Sequence, residues 1–181
     1  MKKFMETTTQ SETIYDGRIV KVQVDDVMLP DGKTSKRELI KHAGAVGIIP
    51  VTKANKIVFV EQFRKPLEKS LVEIPAGKLE KGEEPSVTAL RELEEETGYT
   101  VNTPRFITSF YTSPGFADEM MYLYLAEDLE PVDYPAAGDE DEFIEILELT
   151  LDEAKQYVRE QRIHDAKTNY AILYLETLER M

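Results

Sequence analysis

Residues 77–99 read GKLEKGEEPSVTALRELEEETGY, and this stretch decides which fold the chain is expected to adopt. Pro85 suits the first position of a helix, and Gly98 suits the position just past its end. Between them, one helix face is marked by residues at three- and four-residue spacing, namely Ala89, Leu90, Leu93 and Thr97. The stretch therefore predicts a helix that starts at Pro85 and stops at Gly98.

The same helix carries three glutamates, Glu92, Glu95 and Glu96, within one arc of its surface. Like charges at this spacing cost about 0.2–0.5 kcal/mol per pair, and they lie at the end of the helix dipole that disfavours anions. Arg91 is the only nearby cation that could offset them. Such an arrangement is either a solvated acidic face or a functional site. As a site, it supplies the hard oxygen ligands that Mg²⁺ or Mn²⁺ prefers.

Composition excludes several classes of protein. The 181 residues are enough for one domain, and the net charge of −13 argues against binding to nucleic acid or to an anionic membrane. The chain has no cysteine, so disulfides and thiolate catalysis are excluded. No apolar run reaches membrane-spanning length, and we expect a cytoplasmic protein.

Alternating apolar and polar residues predict the strands along the chain. We expect residues 1–12, which are polar, to lie outside regular structure, and residues 1–42 to form an arm with a β-hairpin ahead of a main domain at residues 43–181. The predicted hairpin strands are Ile19–Val27 and Arg37–His42. The predicted elements of the main domain are strands at 45–50, 57–63, 106–111, 120–125 and 144–149, and helices at 85–97, 151–161 and 165–180.

The segment from Gly77 to Tyr99 also matches, at all nine specified positions, the signature G-x5-E-x7-R-E-U-x-E-E-x-G-U, with U apolar. A chance match in this chain is on the order of one in ten million. The segment therefore resembles the Nudix hydrolases. The resemblance implies an α-β-α sandwich with a mixed sheet, and magnesium-assisted cleavage of a nucleoside diphosphate linked to another group.

The resemblance extends over most of the chain to the Nudix group that hydrolyses ADP-ribose. It rests on the strings VEQFR from Val60, EIPAG from Glu73, SPG from Ser113 and DAKT from Asp165. Pro114 also lies sixteen residues after Gly98, which is the spacing associated with ADP-ribose specificity. These strings are less specific than the nine-position signature.

Carried over to this sequence, the resemblance implies roles for particular residues. Glu92 and Glu96 would be metal ligands, with Glu95 as a third, and the carbonyl of Ala76 would also face a metal. Arg64 would hold a phosphate, as a guanidinium can by donating two hydrogen bonds. Glu73 would orient the substrate and the metal-bound water.

The nucleobase side is where this sequence departs from the family. The family stacks the base partly on aromatic side chains of the partner subunit's hairpin, whereas Ile19 and Arg37 stand at those positions here. Arg37 could stack by its guanidinium plane, Glu38 could accept from an amino group of the base, and Ser113 is placed with them among the substrate-binding residues. The alternative is that the hairpin residues are plain strand surface.

The catalytic base is expected in the acidic loop before the last strand, because carboxylates bound to metal are poor proton acceptors. Glu142 fits the family's position, and the same residue is included among the metal ligands. Glu140 is the alternative base, and Glu95 is the next candidate.

These features predict a homodimeric enzyme in which ADP-ribose reacts with water to give AMP and ribose 5-phosphate. The reaction would use Mg²⁺, for which Mn²⁺ could substitute. One alternative is hydrolysis of another nucleoside diphosphate sugar, such as GDP-mannose, by the same chemistry. An alternative of a different class is a nucleotide sensor that binds without cleaving.

Overall fold

The computed structural model describes residues 3–135 and 143–179, which form a mixed α/β structure. The strands are β1 Thr7–Asp16, β2 Lys21–Met28, β3 Thr34–Lys41, β4 Ala45–Pro50, β5 Ile57–Arg64, β6 Lys69–Glu73, β7 Ala76–Lys78, β8 Tyr99–Thr100, β9 Arg105–Tyr111, β10 Met120–Ala126, β11 Glu130–Pro131 and β12 Ile144–Leu149. The helices are α1 Pro85–Thr97, α2 Leu151–Arg159 and α3 Ala166–Glu179, with a short 3₁₀ helix at Lys65–Leu67. No helix in this described part of the chain has the length and apolar character needed to cross a membrane.

The chain divides into two compact units. The first unit comprises Met1–Gly44 and Phe110–Met121, and the second comprises Ala45–Ser109 and Tyr122–Met181. The first unit is therefore not continuous in sequence, because Phe110–Met121 belongs to it together with the N-terminal residues.

The first unit contains an antiparallel sheet in the order β1-β2-β3. The hairpin between β2 and β3 was expected, but β1 was not, and the expectation that residues 1–12 lie outside regular structure is wrong from Thr7 onward. All ten residues of β1 are exposed. Such a strand has no apolar face to mark it in the sequence, and it forms because its backbone pairs with β2 from Thr7↔Met28 to Asp16↔Lys21.

The second unit is a sandwich. Successive side chains along its strands point to opposite faces of the sheet and belong to different apolar clusters. In β4, Ile48 belongs to one apolar cluster and Ile49 to the other, and in β5 the same is true of Val58 and Phe59. The cluster with Ile48 and Val58 contains residues of α1, whereas the cluster with Ile49 and Phe59 contains residues of α2 and α3. The helices therefore cover opposite faces of the strands, as expected for an α-β-α sandwich.

Two sheets build the middle layer of this sandwich, in the orders β7-β4-β10-β9 and β12-β5-β6. A bridge between Val51 and Ile57 connects the end of β4 to the start of β5. Strands β6 and β7, which flank Ile74 and Pro75, were not predicted from the sequence. They lead the chain directly to helix α1, so their pairing with β5 and β4 positions the residues described next.

Candidate active site

Helix α1 has the boundaries that its sequence predicts. Pro85 occupies its first turn, and Gly98 ends it in the left-handed conformation, with a φ of 69°. The amide of Gly98 donates to the carbonyl of Glu94 over 2.8 Å. Because Ala89 and Leu93 are buried in the core, the neighbouring helix face turns Glu92 and Glu96 toward the chain that precedes the helix.

Glu92 and Glu96 are both buried, at 9% and 5% exposure, against the strand β7. The amide of Ala76 donates to Oε2 of Glu96 over 3.0 Å. A Cβ atom at Gly77 would lie 1.9 Å from Cδ and Oε1 of Glu92, so only a glycine allows this carboxylate its position. The backbone of Ala76 and Gly77 thus forms a cradle for two carboxylates of the helix.

Arg91 offsets much of the repulsion between the glutamate carboxylates around helix α1. Its Nη1 donates to Oε1 of Glu92 over 2.7 Å and to Oε2 of Glu95 over 3.0 Å, and its Nε donates to Glu83 over 3.3 Å. Although burial alone would lower the pKa of Arg91, its bonds to Glu83 and to the helix glutamates raise that pKa above the ordinary value. The hydrogen bond from Arg91 likewise lowers the pKa of Glu83.

Glu95 differs from the other two glutamates because it is only half-buried, and it shares Nη1 of Arg91 with Glu92. Within residues 3–135 and 143–179, no three acidic or histidine side chains converge in a ready metal cage. The residues that could hold a divalent cation are Glu92 and Glu96, which offer hard oxygen ligands beside the glycine cradle. This donor set fits a hard divalent cation.

The partly exposed Arg64 forms an ion pair with the buried Glu73. Nε and Nη2 of Arg64 donate to the two carboxylate oxygens of Glu73 over 2.6 and 3.0 Å. Burial alone would raise the pKa of Glu73, but Arg64 and Lys167 hold that pKa below its ordinary value. The Glu73 bond is the main cause that raises the pKa of Arg64, and the charges of Glu96 and Asp165 raise it further.

The predicted nucleobase residues lie in the first unit. Ile19 is exposed, and Glu38 is exposed on β3. Arg37 forms a two-point ion pair with Glu6, at 2.9 Å from Nε and 2.6 Å from Nη2. The carbonyl of Ser113 accepts from the amides of Phe116 and Ala117, so Ser113 starts a turn. Glu140 and Glu142 lie outside the described residues, and their role stays a prediction.

Sequence reasoning assigned no role to three residues that meet this region. Lys167 bonds to Glu73, the hydroxyl of Thr168 accepts from the amide of Ile74, and the hydroxyl of Thr88 donates to Glu83. The only signal for the first two was the string DAKT, which carries no chemical pattern by itself.

An α-β-α sandwich that holds two helix carboxylates against a glycine in the strand before the helix is typical of hydrolases that act on phosphate compounds with a divalent metal. A NUDIX domain matches residues 41–169, and a nucleoside diphosphate sugar hydrolase N-terminal domain matches residues 6–40. The chain belongs to the Nudix family, as its resemblance predicted, and it is a Nudix hydrolase.

Relatives match along the whole chain. The chain is 60% identical to a methanol dehydrogenase activator of Bacillus methanolicus, over 99% of this chain and 97% of the relative. It is 55% identical to an ADP-ribose pyrophosphatase of Bacillus subtilis, over 100% of this chain and 98% of the relative. A crystal structure of an ADP compounds hydrolase shares the fold with a TM-score of 0.85, over 97% of this chain and 94% of that chain, at 21% identity.

The glycine cradle generates a prediction. Gly77→Ala should displace the Glu92 carboxylate, because a Cβ has no room there, and hydrolysis should fall to near background while circular dichroism still reports a folded protein. Gly82→Ala is the matched control. Its left-handed φ of 84° costs about 1–2 kcal/mol for an alanine, but a Cβ there meets no atom within 4 Å. If Gly77→Ala and Gly82→Ala retain similar activity, the cradle does not matter to the reaction.

Proposed function

We propose that this protein hydrolyses ADP-ribose to AMP and ribose 5-phosphate, with Mg²⁺ as its metal and Mn²⁺ as a possible substitute. The observation that carries the chemistry is the pair of buried carboxylates, Glu92 and Glu96, held against the backbone of Ala76 and Gly77. The choice of ADP-ribose is supported by the 55% identical relative that is named for it, and by Pro114. A cytoplasmic location stays a prediction.

The residues divide the work of the reaction in this proposal. Glu92, Glu96 and the carbonyl of Ala76 hold the metal, which when bound supplies positive charge to the phosphate oxygens and the leaving group. Arg64 donates to a substrate phosphate. The proton of the attacking water goes to Glu142, with Glu140 and then Glu95 as the alternatives.

Glu73 acts on the substrate through Arg64 in this proposal. Both of its oxygens already accept from cations, so its contribution is to hold the guanidinium plane rather than to bind water itself. On the nucleobase side, the proposed contacts are Ile19, Arg37, Glu38 and Ser113. To stack on the base, Arg37 would either break its ion pair with Glu6 or stack while still paired with Glu6.

A substrate panel tests the function. With Mg²⁺ present, kcat/KM should be higher for ADP-ribose than for GDP-mannose or diadenosine polyphosphates, measured as released monophosphate. A preference for GDP-mannose would transfer the assignment to that substrate. Binding of ADP-ribose without any release would favour the nucleotide sensor.

Glu96→Gln tests the metal site. Its amide oxygen can still accept from the amide of Ala76, so the fold should persist, but the loss of a charged ligand should lower kcat by more than the roughly 10–100-fold that loss of a ligand's supporting partner costs. Glu94→Gln, on the same helix and half-buried, is the matched control and should leave kcat unchanged. Near-normal turnover of Glu96→Gln at saturating Mg²⁺ would refute the site.

The first unit supports a homodimer. Its edge strand β1 is exposed along its whole length, and it carries Ile14 and Tyr15 at 57% and 59% exposure. An edge strand with apolar side chains favours association, and we assign a second copy of this chain as the occupant. The N-terminal residues thereby contribute to dimerisation as well as to the nucleobase side.

Sedimentation tests the dimer. Wild type should sediment at twice the chain mass of 20.7 kDa at micromolar concentration, and Ile14→Glu should sediment as a monomer, because a charge would be buried in the interface. Leu173→Glu on α3, where leucine is 61% exposed, should remain dimeric. A wild-type monomer would contradict the proposal.

The 60% identity to a methanol dehydrogenase activator favours a second candidate function, the activation of a dehydrogenase. The two functions are compatible, and a rate assay separates them. Methanol dehydrogenase is assayed with and without wild type and with Glu96→Gln. An increase with both proteins would indicate activation by binding, an increase with wild type alone would tie activation to hydrolysis, and no increase would dismiss this candidate.

A further inference from the structure

Four charged side chains in the second unit form an alternating row, Arg64, Glu73, Lys167 and Asp165. Glu73 accepts from Arg64 with both oxygens, and Oε2 also accepts from Nζ of Lys167. Nζ of Lys167 in turn donates to Oδ1 of Asp165 over 3.1 Å. The side chains of Glu73 and Lys167 are only 4% and 11% exposed, so this is a buried ion pair with a further partner at each end.

Lys167 is held in this place by its own neighbours. Its Cδ lies 3.8 Å from where a Cβ would stand at Gly47 in β4, so the aliphatic stem runs over a strand position that carries no side chain. The next residue, Thr168, accepts from the amide of Ile74 over 3.0 Å through its hydroxyl, and its own amide donates to Asp165. The start of α3 is therefore fastened to the chain immediately after Glu73.

The charges explain what Lys167 contributes. A buried carboxylate is costly unless both oxygens are satisfied by charged or hydrogen-bonding partners. Lys167 donates to Oε2, the oxygen that also accepts from Nη2 of Arg64, and so holds the Glu73 carboxylate in the orientation that the two-point pair with a guanidinium requires. In the described part of the chain, Nη1 of Arg64 makes no hydrogen bond, and the Arg64 side chain is 38% exposed.

We propose that Lys167 is a positioning residue for substrate binding, which acts through Glu73 to hold the Arg64 guanidinium with its Nη1 edge directed to a substrate phosphate. This inference rests on the proposed function, in which Arg64 contacts a phosphate. Lys167 itself touches no substrate. Without Lys167, Oε2 of Glu73 keeps only its bond from Nη2 of Arg64. The buried carboxylate then rotates or draws in water, which releases Arg64 from the two-point geometry.

A double-mutant cycle between Lys167 and Arg64 tests this proposal. Lys167→Met should raise KM for ADP-ribose by about 10- to 100-fold, the effect of losing a charge-assisted hydrogen bond, with a much smaller change in kcat. In an Arg64→Ala background, the same substitution should add little to KM. A merely structural lysine would give independent effects that multiply.

Lys155→Met is the matched control, because Lys155 also pairs with two carboxylates, those of Asp152 and Glu176. Its KM should stay at the wild-type value. Lys167→Arg keeps the charge and should restore most of the affinity. If Lys167→Met does not fold, Lys167→Gln, whose amide can still donate to Glu73, replaces it in the cycle.

The outcomes separate the two proposals. Multiplicative effects of Lys167 and Arg64, or a KM for Lys167→Met equal to that of Lys155→Met, would overturn the role of Lys167 while ADP-ribose hydrolysis stands. Each variant is also titrated with ADP-ribose by calorimetry. If the chain binds ADP-ribose without cleaving it, the proposed reaction is refuted. The double-mutant cycle between Lys167 and Arg64 can then still be evaluated from Kd instead of KM. A chain that neither binds nor cleaves it would refute both.

Discussion

Helix α1 and the strand that leads into it meet at Gly77, where the missing side chain leaves room for the carboxylate of Glu92. A second carboxylate, Glu96, accepts from the amide of Ala76 one residue earlier. Other elements of the second unit hold α1 and β7 in the positions that this contact between the two carboxylates and the backbone of Ala76 and Gly77 requires. Ala89 and Leu93 pack the neighbouring face of the helix into the core, and β7 is held in place by its pairing with β4. Since both carboxylates are buried between α1 and β7, their positions depend on every element that fixes the helix or the strand.

The electrostatics follow from that contact. The chain has a net charge of −13, and three of its cations bond to buried carboxylates: Arg91 among the glutamates of α1, and Arg64 with Lys167 around Glu73. Each cation has at least one hydrogen bond to a carboxylate, so its charge is directed and not freely exposed. In the proposed reaction, a phosphate that approaches Arg64 meets a guanidinium whose plane is already fixed by Glu73. Such preorganisation reduces the conformational entropy lost on binding.

Helix α1 was predictable nearly to the residue, because Pro85, the apolar spacing and Gly98 act locally. The strands β4, β5, β10 and β12 were predictable from their apolar residues for the same reason. Strands β6 and β7 were missed because they are short and frame Ile74 and Pro75, so their extended backbone depends on partners in β5 and β4. Strand β1 was missed because every residue in it is exposed, and only its pairing with β2 defines it.

The sequence by itself determined the family and singled out the glutamates of α1, because both follow from residue type at a fixed spacing. That Gly77 leaves room for the Glu92 carboxylate became visible only in the structure. Only the tertiary structure decided how those groups are divided. Glu95 is only half-buried, whereas Glu92 and Glu96 are buried. Arg64 is bonded to Glu73. Lys167 lies 94 positions after Glu73 in the chain, yet its ammonium group bonds to that carboxylate. Contacts of this kind depend on the packing of α3 against the sheet, and no local pattern in the sequence encodes them.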